Sequence, residues 1–439
     1  MKAIFVIFDI GKTNKKRFLF NEDQQLVDEL QEILPETIDE DGFPCESIET
    51  LRQWVLKGWN EILQNPEFQI LGVNFSAYGA SFVHLGEDGN PILPLYNYLK
   101  PYPKEIEERF YGFTGKEPNV LAVETASPKL GMLNSGLQLF WLKETHQEIF
   151  RKIKVSLHLP QYLAYLVSGK EVSDYTSVGC HTALWDFSSY KYHEWVAQSG
   201  IDHKLAPLQK SPVAGWIGSI PVGAGLHDSS AALIPYLQEA AAPFLLLSTG
   251  TWCIVLNPFS TRVLTSDLLS RDCLCYLSAE GKPVLASRIF LGKEHDYQVA
   301  RIREHFKFEG DLIPPGRLPE SFSKKEIIFT PACMAGTGPF PEQLPSDWDL
   351  SIFSDAAEAY FHLLLGLVDL LKISIGLVYE GEKVMYVDGG FARNSWFMEI
   401  LSEACPQFDI QTREIHQATA LGALLHLIKE KKLPAREKN

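Results

Sequence analysis

Two short polar turns, each following an apolar strand-like run, carry the residue types that phosphate chemistry needs. The first is Asp9-Ile10-Gly11-Lys12-Thr13-Asn14, at the end of the run 3–8. A carboxylate fixed at a rigid strand end organises Mg²⁺ and its waters, while glycine and hydroxyl residues in a tight turn present backbone N–H groups to phosphate oxygens. A hairpin turn that is merely polar is the plain alternative. The second turn, Ser248-Thr249-Gly250-Thr251, follows the run 244–247 and has the same chemistry, able to clamp the same phosphates from the other side. Two such turns are harder to dismiss than one.

Two better-known phosphate signatures fail. Gly11-Lys12-Thr13 is not a P-loop, because the pattern needs a glycine where Val6 stands. Gly223-Ala224-Gly225 is not a dinucleotide fingerprint, because its third glycine would fall on Asp228. Asp228 instead follows a glycine-rich approach and precedes the small residues Ser229-Ser230-Ala231-Ala232. A helix N-terminus there would keep the carboxylate ionised, as a base that accepts a hydroxyl proton requires; a simple N-cap is the alternative.

The elements that must position these groups follow from periodicity. Residues 3–10 read as a strand buried on both faces, forming a hairpin with 17–20, and 244–247 with 252–256 repeats the device. The repeat implies two similar domains, 1–240 and 241–439, joined through the Ala-rich stretch 235–243. Helices are predicted over 134–150, 156–166 and 355–379. The last has apolar residues at 356, 359, 363, 364, 367, 370, 371 and 377, with Ser354 as N-cap. Strands 384–387 and 408–412 precede helices 393–404 and 416–432. Alternating β and α elements in each half give an α/β class.

Composition narrows the function. The 439 residues are 46% hydrophobic and 22% charged, which excludes a disordered or fibrous chain. Forty Lys and Arg against fifty-five Asp and Glu leave a net charge of −15, unsuited to nucleic acid or anionic membrane. The basic runs are short: Lys15-Lys16-Arg17, and 429–432 where cations suit a helix C-terminus. No apolar run reaches the ~18 residues of a membrane span, and the run 3–8 stops at Asp9, too early for a signal-peptide core. A cytoplasmic location is expected. The seven cysteines are odd in number and scattered, as reduced thiols would be. Cys273 and Cys275 read as small hydrophobes on one strand face, since two further zinc ligands are not near them.

Taken together, the motifs resemble the FGGY carbohydrate kinase family of the actin, Hsp70 and sugar kinase superfamily over nearly the whole chain. Residues 8–16 are similar to its first phosphate motif, and Ser248-Thr249-Gly250-Thr251-Trp252 to the second, in the version seen in rhamnulokinases. The stretch 225–232 matches the segment that supplies the catalytic base, Asp228. Asp388-Gly389-Gly390-Phe391-Ala392-Arg393-Asn394 is similar to the adenosine motif, and 418–423 to the closing helix. The resemblance implies two ribonuclease H-like, actin-type ATPase domains with an active-site cleft between them, closing to exclude water. It also implies ATP and Mg²⁺ as cofactors, and a ketose or related sugar as small-molecule substrate, with rhamnulose, fuculose and xylulose types foremost. It leaves room for a homodimer.

By the same resemblance Asp9 orients Mg²⁺, and Asp9, Gly11, Thr13, Asn14, Lys16, Gly250, Thr251, Gly336, Gly389, Gly390 and Asn394 hold the nucleotide. Tyr78, Gln138, Asp174, Tyr175 and His227 are the expected sugar contacts, through aromatic stacking and polar pairing with hydroxyls. Gln138 and Asp174 read equally well as ordinary loop or helix-end residues, and His227 as a group that orients its neighbour. The chain departs from the family in several places. Asp388 and Phe391 replace a glycine and a small residue, and Phe391 is expected to crowd or restack the adenine. Tyr78 stands where the family has Trp, and Ser76 and Ser81 where it has acids. The segment 335–339 lacks the charges of a Gly-Glu-Arg-x-Pro segment, and the chain is short for the family. These departures keep a second reading open, a sugar- or nucleotide-binding regulator with weakened catalysis, and a third, an ATPase acting as a conformational machine.

Overall fold

Strand Lys2–Ile10 is central to the first half of the molecule. It pairs antiparallel with Lys15–Asn21, which pairs antiparallel with Leu26–Glu32. On its other side it pairs in parallel with Phe68–Ala77, which in turn lies parallel to Ile220–Gly223 and Leu226–His227. Its side chains alternate between two cores. Ile4, Val6, Phe8 and Ile10 pack with Leu51, Val55 and Trp59 of helix Ile48–Leu63, whereas Phe5 and Ile7 pack with Ala420, Ala423 and Leu424 of helix Ala418–Ile428. Helices cover both faces, which is why the strand reads as a continuous apolar run.

The computed structural model describes residues 1–310, 312, 318, 329–340, 342, 348–413 and 415–429; the ends of the basic run 429–432 and of the helix predicted over 416–432 lie outside the described residues. By contacts the chain divides into two units. Met1–Glu239, Tyr276–Lys282 and the described residues from Gln417 onward form the first; Ala240–Cys275 and Pro283–His416 form the second. The first crossing falls beside the sequence boundary at 240. The last helix differs from the sequence division by returning to the first unit, because its apolar face completes the core under Phe5 and Ile7.

The second unit repeats the arrangement. Phe244–Thr249 pairs antiparallel with Cys253–Asn257, which pairs antiparallel with Pro283–Ile289; Val384–Gly389 and Asp409–Thr412 add on in parallel. Three antiparallel strands followed by parallel ones, twice over, form the two ribonuclease H-like domains of the actin type. The seven cysteines are thiols in no disulfide, and Cys273 and Cys275 are buried.

Several sequence expectations shift. The helix over 134–150 breaks at His146 into Ser135–Thr145 and Gln147–Lys152. Of the segment 156–166, residues Val155–His158 form a strand against Phe82–Leu85, and the helix starts at Leu159. Pro160, with no N–H to donate, suits the first turn of that helix. Helix Ala356–Val378 is capped by Asp355, whose Oδ1 accepts from Glu358 N at 2.8 Å, while Ser354 donates to the Glu358 carboxylate. This helix is apolar and long enough to cross a membrane, which the strict-run reading missed because Asp369 and Lys372 interrupt it. Its Leu363, Leu364, Leu367 and Leu371 are buried, as in the core helix of a folded unit.

Pro235, expected in a linker, sits inside helix Asp228–Glu239. Having no N–H, it cannot donate to the Ala231 carbonyl four residues earlier. Gly422 lies against that carbonyl, so close that an added Cβ would overlap its oxygen. The helix bearing Asp228 is thereby seated directly on the backbone of the last helix. Gly376, by contrast, is exposed in helix Ala356–Val378 with open space around it. Substituting alanine in a helix interior normally stabilises by roughly 0.5–1 kcal/mol. Gly376→Ala should do so, whereas Gly422→Ala should destabilise by about 1–3 kcal/mol through overpacking. Urea unfolding of both variants checks the opposite signs; equal signs would remove the close approach as a constraint.

Candidate functional site

The first turn is braced from below. The buried Lys15 ammonium donates to Gly11 O at 3.1 Å, Lys12 O at 2.9 Å and Glu46 Oε1 at 2.7 Å. Gly11 N–H donates to Asn14 O at 2.9 Å, and Asn14 Oδ1 accepts from Gln31 Nε2 at 3.0 Å. Thr13 is left exposed at the tip, and Lys16 pairs with Glu29 at 3.2 Å. With its carbonyls claimed by Lys15, the turn has a fixed shape before any ligand arrives.

Asp9 stands where this strand ends. Burial pushes its carboxyl up to about 7, helped by the negative charge of Asp228 and opposed by Lys16 and Ser76. The two carboxylates approach because Asp9 pairs with Ser76 on Phe68–Ala77, while Leu226 pairs with the same Ser76 two residues before Asp228. Asp228 is about one-third exposed. Its Oδ1 accepts from Ser229 N at 2.6 Å and Ser229 Oγ at 3.2 Å, and lies 3.2 Å from His227 Nε2. Burial holds the His227 imidazole below its ordinary value; its Nε2 lies against Asp228 Oδ1 at 3.2 Å and Cys180 Sγ at 3.4 Å, and its Nδ1 is buried without a partner.

The glycine-rich approach to Asp228 is fixed by one buried amide. Asn74 Nδ2 donates to Ala423 O at 2.8 Å, and its Oδ1 accepts from Phe75 N at 2.9 Å and Gly225 N at 3.2 Å. Thus the carboxylate, the neighbouring strand and the last helix share an anchor.

The expected sugar contacts are not all brought together. Gln138 is buried, donates to Ala80 O and Met132 O at 2.7 Å each, and leaves Oε1 without a partner. Ser81 Oγ, Ser177 Oγ and His227 Nδ1 are likewise buried and unpartnered. These belong to touching segments: Gln138 bonds Ala80, and His227 N–H bonds Thr176 Oγ1 at 2.9 Å. Buried polar atoms are rarely left unpaired, and hydroxyls of a polyol would satisfy donors and acceptors of this kind. Tyr78 N–H bonds Ile10 O at 3.1 Å, and its ring meets Tyr98 edge-on. Asp174 instead caps helix Tyr175–Val178 through Thr176 N at 2.7 Å, with burial raising its carboxyl to about 6 against those hydrogen bonds. Tyr175 lines a different cavity of about 530 Å³ with Lys210, Glu280 and His426.

In the second unit a cavity of about 280 Å³ gathers Gly250, Thr251, Gly390 and Asn394 from the sequence expectations. Thr249 ties the two motifs together: its O accepts from Gly390 N at 3.1 Å, its Oγ1 accepts from Phe391 N at 3.1 Å and donates to Asp388 O at 2.5 Å. Gly389, at φ +90°, lies so close to the Thr249 carbonyl that a Cβ would collide. Phe391 is largely buried, its ring tilted against Phe397 at 4.5 Å and edge-on to His295 at 5.2 Å, and it lines the cavity. Gly336 is in an exposed turn at φ +70°, in a loop pinned by Asp272 to Gly338 N at 3.1 Å and by Glu294 to Ala332 N at 3.0 Å.

Sequence reasoning missed His295, Asp296 and Tyr360, which line the same cavity from two helices. Asn394 Nδ2 donates to Tyr360 OH at 2.8 Å, so the tyrosine hydroxyl donates to His295 Nε2 at 3.1 Å and the imidazole is neutral, in line with burial lowering its pKa. Nothing in their local sequence distinguishes these residues from other helix positions.

Among the described residues no group of three or more His, Cys, Asp or Glu is placed to hold a metal ion. Mg²⁺ needs no such cage, since it is usually held by one or two carboxylates, waters and substrate phosphates. The excess negative charge at Asp9 and Asp228 fits that mode.

Comparison with known proteins agrees along the whole chain. Residues 4–235 match the model of the N-terminal domain of the FGGY family of carbohydrate kinases, and residues 241–436 that of the carbohydrate kinase FGGY C-terminal domain. The rhamnulokinase of Halalkalibacterium halodurans is 23% identical, over 95% of this chain and 89% of that protein. The L-fuculokinase of Haemophilus influenzae is 21% identical, over 96% and 94%. The crystal structure of a carbohydrate kinase from Novosphingobium aromaticivorans superposes with a TM-score of 0.82 at 25% identity, over 96% of this chain and 93% of that one.

Asp9 has its pKa raised above the unfolded value, so the native state binds more protons between pH 3.8 and about 7 and loses stability as pH rises through that window. Asp9→Asn, in metal-free buffer, should therefore melt higher than the parent at pH 8, by up to a few kcal/mol in stability. The advantage should shrink toward pH 4. Thermal melts at the two pH values check it, and a pH-independent difference would show that the Asp9 carboxyl is not raised.

Proposed function

This chain belongs to the FGGY family of carbohydrate kinases, whose reaction is ATP-dependent phosphorylation of a sugar, and we propose that it acts on a hydroxyl of a ketose with Asp228 as general base. The observation that carries the proposal is the Asp228 carboxylate: partly exposed, oriented by Ser229 and His227, and set beside Asp9 at the ends of parallel strands. A base needs a free lone pair aimed from a fixed point, and this arrangement supplies both.

Tyr78 offers a ring face to the sugar, while Gln138 Oε1, Ser81 Oγ and His227 Nδ1 offer buried polar atoms to its hydroxyls. Full-length relatives named rhamnulokinase and L-fuculokinase support a ketose of those types. Thr13 and Asn14 in one unit and Gly250 and Thr251 in the other are assigned to phosphate, and the cavity walled by His295, Tyr360 and Phe391 to the nucleoside. Asp9 would hold Mg²⁺ through its waters, and that ion supplies charge neutralisation on the phosphates when bound. Asp228 takes the hydroxyl proton as the sugar oxygen bonds to the γ-phosphorus and ADP departs.

A coupled ADP-release assay with ATP and Mg²⁺ across ketoses, aldoses and polyols tests this. Sugar-dependent release is expected, and Asp228→Asn should lower kcat by about 10²–10⁴-fold with little change in sugar KM. Near-normal turnover in the variant would remove Asp228 as base. Nucleotide binding without release on any sugar would bring forward a binding regulator on the same fold.

A further inference from the structure

Gly11-Lys12-Thr13 does not form a P-loop, yet its lysine stands where a cation is useful. Lys12 lies in the first turn with its side chain about one-quarter exposed, 3.3 Å from Glu36 Oε1 and 3.8 Å from Glu46 Oε1. Its Nζ is 5.9 Å from the centre of the Tyr78 ring. The ammonium therefore sits over the ring offered to the sugar and on the turn offered to the phosphates.

The other cations of this hairpin have partners of their own. Lys15 is buried and clamped by Gly11 O, Lys12 O and Glu46. Lys16 bonds Glu29, and Arg17 lies between Asp28 and Glu61. Lys12 is held differently. Glu46 Oε1 already receives Lys15 at 2.7 Å, which leaves Lys12 beyond hydrogen-bond distance, and the other partner, Glu36, is about half exposed. Solvent-screened pairs of this kind are easily exchanged. Meanwhile the Lys15 clamp on Lys12 O fixes the point from which the flexible side chain swings.

We propose that Lys12 is a catalytic residue of the phosphoryl transfer, its ammonium leaving Glu36 and Glu46 for the non-bridging oxygens of the phosphoryl group in flight. The inference rests on the kinase reading above. The sugar oxygen forms the new bond to phosphorus while the bond to the bridging oxygen breaks and its electron pair leaves with ADP. The hydroxyl proton goes to Asp228. Lys12 keeps all its protons and acts by charge and N–H donation, where a single preorganised donor is commonly worth 10²–10³-fold in rate.

Steady-state kinetics of K12M, K12R and E36Q with the best acceptor from the sugar panel test the role. K12M should lose about 10²–10³-fold in kcat with both KM values within about threefold, and K12R should recover part of the loss. E36Q should stay close to the parent, because Glu36 only holds the resting ammonium. By calorimetry, K12M should bind ADP normally but bind ADP with aluminium fluoride, a mimic of the phosphoryl group in flight, at least tenfold more weakly than the parent.

A K12M kcat within threefold of the parent overturns the proposal, as does a rise confined to sugar KM, which would make Lys12 a sugar contact. Equal losses in K12M and E36Q overturn it in favour of a structural ion pair. If the parent turns over no sugar, the kinase reading fails on its own. The aluminium fluoride measurement then still decides Lys12, equal affinity in parent and K12M overturning its role.

Discussion

The burial of the Asp9 carboxylate, with Asp228 carried to the same strand edge, is the constraint around which the first unit is organised. Parallel strands bring their C-terminal ends to one edge, and two of the chain's carboxylates are carried there by Lys2–Ile10 and by the segment that follows Leu226–His227. Burial first, and then the charge of Asp228, lifts the Asp9 carboxyl to about 7. Such an arrangement costs stability in the ligand-free protein and is relieved by positive charge, so the site attracts what it needs before it has any geometry to recognise it.

Holding two like charges close requires stiff surroundings, and the stiffness comes from backbone contacts more than from side-chain bulk. Asn74 links the sheet to Gly225 and Ala423; Pro235 frees the Ala231 carbonyl against which Gly422 packs. Both contacts tie the Asp228 helix to the last helix of the chain. That helix is the farthest element in sequence from Asp9 and among the nearest to the core under it. Lys15 does the same at the turn, converting two carbonyls from solvent-facing groups into internal acceptors.

Much of this was legible in the sequence. The strand 3–10, the repeated hairpin and the α/β alternation follow from apolar period and turn residues, because those depend only on neighbours a few positions away. Asp9 and Asp228 stand out for the same local reason. What was not legible depends on partners distant in sequence. Nothing near residue 295 shows that Tyr360 and Phe391 will frame it, and nothing near Lys15 shows that Glu46 will bury it. Asp174 was readable either as a sugar contact or as a helix-end residue, and its hydrogen bond to Thr176 N makes it the cap of the helix that starts at Tyr175. The Pro160 boundary was readable in principle, since the rule is local, but the apolar spacing of 156–166 outweighed it.

The two units share a topology but divide the chemistry. The first hairpin is dense in charge, with Asp9, Lys12, Lys15 and Lys16, whereas the second offers Thr249, Gly250, Thr251 and Trp252 and no charged side chain. The difference extends to what surrounds each. Around the first lie Glu36, Glu46 and Asp228; the cavity beside the second is walled by a neutral imidazole, a tyrosine engaged at its hydroxyl and a buried phenylalanine, with Asp296 its one acid. Proton transfer and charge neutralisation need groups that ionise and move, while a flat, weakly polar nucleoside is best met by groups that do neither. Under the function proposed above, the repeated fold meets both requirements by keeping its backbone device and exchanging the side chains around it.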